Sequence, residues 1–359
     1  MRDWERFSWD QEADVQPVPL GRAGKARRPT AAEEAAPSPA LESEESLDDD
    51  ARTGRAAEFT DEYMLRPRSL RPSRGWRRAV YRATGGTINL GPSEAELRER
   101  DLVARVKNPV FGCRRIAVIS RKGGVGKTTT TLNLGHTFAA HRGDRVVALD
   151  GNPDAGSLGY RVRRQTAATV TDLLRDSHVI DRYSDVRAYT SQAPTRLEVV
   201  ASNDDPRITQ ALGRDDYKRI SEILERHYNL ILLDTGTGIL DSATRGILDL
   251  ADQVVVVMAP SLDGARAASL TLDWLEEHDY GDLVDGAVAV VNGVRSRDGL
   301  VELDRVEEHF EGRCATVVRI PWDPHLEAGA ETMPEDLKRG TREAYLELAA
   351  AVAGGFGPS

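Results

Sequence analysis

Cysteine is nearly missing from this chain. Among 359 residues only Cys113 and Cys314 occur, too few and too far apart for a disulfide framework or a cysteine-rich metal site. A reducing, cytoplasmic setting fits that scarcity. Long hydrophobic runs are missing too: the first residues, through Phe7, lack the apolar stretch of a signal peptide, and no run reaches the length that spans a bilayer. No integral membrane segment is therefore expected. Internal repeats are absent, which removes solenoid architectures. Net positive charge is also lacking. The formal charge of −10 excludes whole-molecule attraction to nucleic acid or anionic membrane and confines any such attraction to local patches. The length allows one large domain or two small ones, with a substantial core.

What is present is organised around residues 121–129, Arg-Lys-Gly-Gly-Val-Gly-Lys-Thr-Thr, set between the apolar run Ile116 to Ile119 and a helical pattern carrying Leu132, Leu134 and Phe138. A phosphate cradle needs backbone N–H groups converging on an anion at close range. Gly123, Gly124 and Gly126 permit that approach, with Val125 completing the loop. In such a loop Lys127 reaches the β- and γ-phosphates and Thr128 offers its hydroxyl to Mg²⁺. Thr129 follows in a helix whose positive dipole end faces the anion. A strand before, Gly-Lys-Thr in register and a helix after separate this pattern from an ordinary glycine-rich turn.

The run Lys122-Gly-Gly-Val-Gly-Lys127-Thr-Thr resembles the deviant P-loop of the ParA/MinD ATPases. The resemblance implies an α/β fold, a mostly parallel twisted sheet flanked by helices, with ATP and Mg²⁺ as cofactors. It also implies an ATP-dependent homodimer in which Lys122 reaches the partner's phosphates. Asp150, at the end of the apolar strand Arg145 to Leu149, matches the first acid of the family's Asp-x-Asp, close to the Mg²⁺ shell. Asn152 replaces the second acid, the one that orients the attacking water. A carboxamide positions water but cannot take its proton, so slow hydrolysis is expected, with Asp154 as a compensating group and nucleotide binding without turnover as the alternative.

Asp234 ends the apolar run Leu230 to Leu233 and matches the acid that holds Mg²⁺ in P-loop proteins, although Thr235-Gly-Thr-Gly238 stands where the family often has a proline-containing turn. Asn292, after the strand Ala287 to Val291, resembles the amide that reads the adenine edge. Pro321 and Asp323 resemble the loop beside the base. The expected catalytic set is thus Lys122, Lys127, Asp150 and Asn152, and the expected metal set Thr128, Asp150 and Asp234.

Around this core the chain divides by composition. Residues 1–60 are expected to be a disordered acidic tail, with Trp4, Phe7 and Trp9 either a recognition arm or simply solvated. Residues 61–107 form a basic segment and adapter: Arg66, Arg68, Arg71, Arg74, Arg77, Arg78 and Arg82 surround Trp76 and Tyr81, and a helix capped by Ser93 follows. Arginine among aromatics can bind phosphates, headgroups or an acidic protein, or dock on the acidic remainder of the chain. The sequence leaves those open. Gly75-Trp-Arg-Arg78 and Thr84-Gly-Gly86 with that helix look like the type VII secretion-associated ATPases of actinobacteria, which implies a partner in secretion machinery. Residues 108–353 are expected to be the ATPase domain and 354–359 a flexible tail. The cluster Arg161, Arg163 and Arg164 reads as a solvated face. Arg245 and Arg266 are candidates for nonspecific DNA contact, a lesser reading. The last helix, with Arg342 and no lysine, does not fit a MinD-type membrane helix.

Overall fold

The computed structural model describes residues 71–152, 156–202, 212–238, 241–295 and 301–357. The expected disordered tail of residues 1–60, residues 61–70 with Arg66 and Arg68, and Asp154 lie outside that set.

Continuously apolar, β-branched segments need cover on both faces and so take the middle of a parallel sheet. The strands are β1 (Arg114–Ile119), β2 (Val146–Gly151), β3 (Ser191–Gln192), β4 (Glu198–Val200), β5 (Leu230–Thr235), β6 (Gln253–Met258), β7 (Val288–Val294) and β8 (Thr316–Pro321). They form one sheet in the order β3-β4-β2-β5-β1-β6-β7-β8, with every pair parallel except β3 with β4. The expected α/β fold with a mostly parallel sheet is the observed one.

Alternate residues of each strand enter opposite cores, as the two-residue period of a strand requires. Ile116, Val118, Leu230, Leu232, Val255 and Val257 face one core; Ala117, Ile119, Ile231, Leu233, Val254 and Val256 face the other. The first core is closed by α2 (Glu94–Val106), α3 (Lys127–His141) and α8 (Arg339–Ala353), following α1 (Gly75–Ala83) in the chain. The second is closed by α4 (Arg214–Glu225), α5 (Ser242–Leu248), α6 (Leu262–Glu277) and α7 (Leu303–Glu311). Helix α3, which starts at the phosphate loop, therefore shares a core with the adapter helix α2.

Helix α2 begins with the expected cap: the Ser93 hydroxyl accepts the Glu96 N–H, and the Glu96 carboxylate accepts the Ser93 N–H at 3.0 Å. The same carboxylate also accepts the N–H of Ser73 and of Arg74, both at 2.8 Å, and the Ser73 hydroxyl at 2.6 Å. The basic stretch is thus tied to α2 at its root. Helix α1 itself buries no residue, and Trp76 is 65% exposed.

At the other end, residues 354–356 form a 3-10 turn where the sequence suggests a flexible tail. Phe356 is buried, its ring 5.7 Å from that of Phe138 and 5.5 Å from the Arg142 guanidinium. Helix α8 spends its apolar face inside, through Tyr345, Leu348 and Val352. Among the described residues no helix is long and apolar enough to cross a membrane.

Candidate nucleotide-binding site

The carboxyl ends of parallel strands collect loops on one edge of the sheet, where ligands bind in such folds. β1 delivers the phosphate loop there. Gly124 and Gly126 adopt positive φ, 72° and 96°, and a β-carbon on Gly126 would lie 2.1 Å from the Asn292 side-chain nitrogen. Only glycine serves there. Helix α3 starts at Lys127 with no side chain capping it, so the N–H groups of its first turn remain for an anion. Lys127 is buried; that burial lowers its pKa, and the nearby Asp234 works against the shift.

Two carboxylates stand behind the lysine. β2 and β5 are neighbours, and their register sets Asp150 directly opposite Asp234. One Asp150 oxygen accepts the Asn152 N–H at 3.2 Å; the other accepts the Leu158 N–H and the Ser202 hydroxyl, both at 3.1 Å. Gly156 makes room for this carboxylate, since a β-carbon on it would meet Asp150 at 1.9 Å. Asp234 accepts the Thr131 hydroxyl at 3.2 Å. Burial raises the Asp234 pKa and the Asp150 charge raises it further, against hydrogen bonds from Thr128 and Thr131 and the Lys127 charge. Two buried acids facing each other, with a threonine hydroxyl at hand, form an oxygen-only donor set suited to a hard divalent cation such as Mg²⁺.

In front of the lysine lies a cavity of about 450 Å³. Gly124, Val125, Gly126, Lys127, Thr128 and Thr129 line one wall; Asn292, Gly293, Pro321, Trp322 and Asp323 belong to the other. The size is that of an ordinary cofactor site. Asn292 donates its amide N–H to the Val125 carbonyl at 2.8 Å, joining the walls. Asp323 lines the cavity, but its carboxylate is turned to the scaffold, accepting Lys338 N–H at 2.8 Å, the Thr341 hydroxyl at 2.9 Å and His325 N–H at 3.1 Å.

Besides Asp150 and Asp234, three predicted residues stand outside the cavity lining. Gly123 is exposed. The Lys122 side chain is 42% exposed and 4.0 Å from the Asp263 carboxylate. Asn152 is half-buried, with its backbone hooked to Asp150.

Comparison with known proteins bears on this geometry. Residues 113–279 match a family model described as an AAA domain. Over 285 residues the chain is 42% identical to the ESX-1 secretion-associated protein EspI of Mycobacterium tuberculosis, covering 79% of this chain and 42% of that protein's length. In fold it is similar to the ParA family ATPase from Chlorobium tepidum TLS, with TM-score 0.57 and 20% identity over 66% of this chain and 98% of that one. It is similar also to the septum site-determining protein MinD complexed with Mg-ADP from Pyrococcus horikoshii OT3, with TM-score 0.53 and 18% identity over 66% and 94%.

The chain carries an AAA domain with a ParA/MinD-like fold.

One residue of this ParA/MinD-like fold escapes the sequence reading. Arg163 and Arg164 are exposed, as a solvated face requires, but Arg161 turns inward, lines the cavity and donates to the Thr129 hydroxyl at 2.8 Å. The signal lies in its neighbours: Leu158 and Val162 are both buried, which pins the intervening 3-10 turn against the core. The two cysteines precede β1 and β8, at the edge of the sheet opposite the P-loop. Burial pushes their thiols up, to about 12 and about 11.

Proposed function

We propose that this ParA/MinD-type domain binds Mg²⁺–ATP, hydrolyses it slowly and works as a nucleotide-dependent dimer switch serving a type VII protein-secretion apparatus. The observation that carries the reading is the register of Asp150 against Asp234 directly behind Lys127 and Thr128. Mg²⁺, when bound, neutralises phosphate charge in the site. Asp150, Asp234 and Thr128 are the residues that would hold it. Lys127 and the uncapped N–H groups of α3 bind the phosphates, and Asn292 with the Pro321 loop faces the base.

Lys122 has the exposure that a residue serving a second subunit needs, and its ion pair, at 4.0 Å, is with the solvent-exposed Asp263. ATP closing two copies through Lys122, and hydrolysis or release opening them, amounts to a population shift between two states. The secretion role is supported by the relative described as ESX-1 secretion-associated, of which this chain spans 42%. A second reading, a nucleotide-binding regulator without turnover, is favoured by Asn152. Turnover well above that of Lys127→Ala removes it.

The decisive experiment is the mass by light scattering with ADP, ATP and Mg²⁺, for wild type and Lys122→Ala. The expected result is a dimer only for wild type with Mg²⁺–ATP. A monomer under every nucleotide would sink the switch.

A further inference from the structure

We propose that Arg161 is a second cation of the nucleotide site, contacting the α-phosphate of bound ADP or ATP from within the same subunit. The inference rests on the nucleotide reading above. Arg161 closes the 3-10 turn Leu158–Arg161, and the Leu158 N–H donates to Asp150, so the turn is held to the acidic end of the site. From there the guanidinium crosses to α3 and donates to the Thr129 hydroxyl at 2.8 Å. Lys127 and Thr128 belong to the β- and γ-phosphate end of a P-loop site. The α-phosphate is then left to Thr129 and to the side chain that touches it.

Charge points the same way. A guanidinium carries five donors and cannot shed its charge in a protein. Arg161 is half-buried, its Nε is buried without a hydrogen-bond partner, and among the described residues no carboxylate forms an ion pair with it. Its hydrogen-bond acceptor, the Thr129 hydroxyl, is neutral. A charge so placed is costly unless an anion shares the site. Burial also lowers its pKa, with Asp234 and Tyr345 opposing the shift. Gly329, with φ 65°, lines the same cavity beside the fork, close enough that a β-carbon there would lie 3.6 Å from Nη2.

The alternative role is a clamp that merely positions Thr129. Arg161→Gln keeps a donor for that hydroxyl and removes the charge, while Arg161→Lys keeps the charge. Calorimetric titration of the full chain with Mg²⁺–ADP and Mg²⁺–ATP, at low and high salt, separates the roles. Arg161→Gln is expected to weaken ADP and ATP by the same factor, roughly 10- to 100-fold as for a charge-assisted hydrogen bond, and to flatten the salt dependence. Arg161→Lys should recover part of the loss. Unchanged affinity in Arg161→Gln, or a loss that is salt-insensitive and not rescued by lysine, overturns the proposal. A loss confined to ATP also overturns it, by moving the contact to the γ-phosphate. Wild type that binds neither nucleotide defeats the nucleotide reading itself, and this inference with it.

Discussion

Asp234 and Asp323 are each 1% exposed, yet their surroundings push them in opposite directions. Asp234 meets another carboxylate across two strands, and burial together with the Asp150 charge raises its pKa. Burial also works against the charge of Asp323, but the Lys338 N–H, the Thr341 hydroxyl and the His325 N–H outweigh it and hold the carboxyl below its usual range. The count of donors separates the two acids. Asp323 is consumed by its scaffold, tying the Pro321 loop to the start of α8, whereas Asp234, which accepts the Thr128 and Thr131 hydroxyls, holds charge that a cation can use.

The largest effect should come from the saturated acid. Asp323→Ala leaves the Lys338 and His325 N–H groups and the Thr341 hydroxyl without their acceptor, and should lower stability by about 2–4 kcal/mol in urea unfolding. A change below about 0.5 kcal/mol would show that water replaces the carboxylate there. pH sharpens the test. The folded pKa of Asp323 lies below its unfolded value of about 3.9, so its contribution is present above that value and lost as pH falls through the folded one. Wild type should therefore lose its melting-temperature advantage over Asp323→Asn as pH falls below about 4.

Asp234→Asn is the next largest and has the opposite pattern. Removing one of two facing like charges should leave the nucleotide-free protein at least as stable as wild type. The Mg²⁺-dependent part of ATP affinity should disappear, so that titrations with Mg²⁺ and with EDTA coincide. Retained Mg²⁺ dependence would take Asp234 out of the metal set.

A smaller and local effect is expected at Glu96. The Ser73 hydroxyl and the N–H groups of Ser93, Ser73 and Arg74 lower its pKa to about 2 against the effect of burial. Its contribution is present above the unfolded value of about 4.3 and fades as pH falls toward the folded one. Glu96→Ala should speed amide exchange across α1 while leaving the amides of β1 and β5 protected. Equal exchange in both proteins would mean that other contacts anchor the basic segment.

These residues also show what sequence can carry. The P-loop wall was legible because it is one contiguous run whose spacing encodes both strand and helix. The apolar runs that became β5 and β7 were legible because burial on both faces leaves no alternation to confuse them. Asp150 and Asp234 could be named as ends of strands, but their register depends on which strands become neighbours. The Ser93–Glu96 cap is local and could be read; the added hold on Ser73 and Arg74 comes from a chain reversal that spacing does not announce. The inward turn of Arg161, the turn of the Asp323 carboxylate into the scaffold and the burial of Phe356 all depend on partners distant in the chain. Two glycines before Phe356 suggest a loose end, and only Phe138 and Arg142 reveal otherwise.

Asn152→Asp should give the smallest change. Asn152 already places its backbone against Asp150, with its N–H 3.2 Å from the carboxylate, so the substitution alters chemistry at the end of a fixed strand. An added carboxylate can take a proton from water where an amide cannot, but phosphoryl transfer depends chiefly on positioning and electrostatics, and a third acid beside Asp150 and Asp234 adds repulsion. A rise of about tenfold or less in phosphate release over wild type, with Lys127→Ala as the blank, balances those effects. An unchanged or lower rate would move the water-orienting role away from this position.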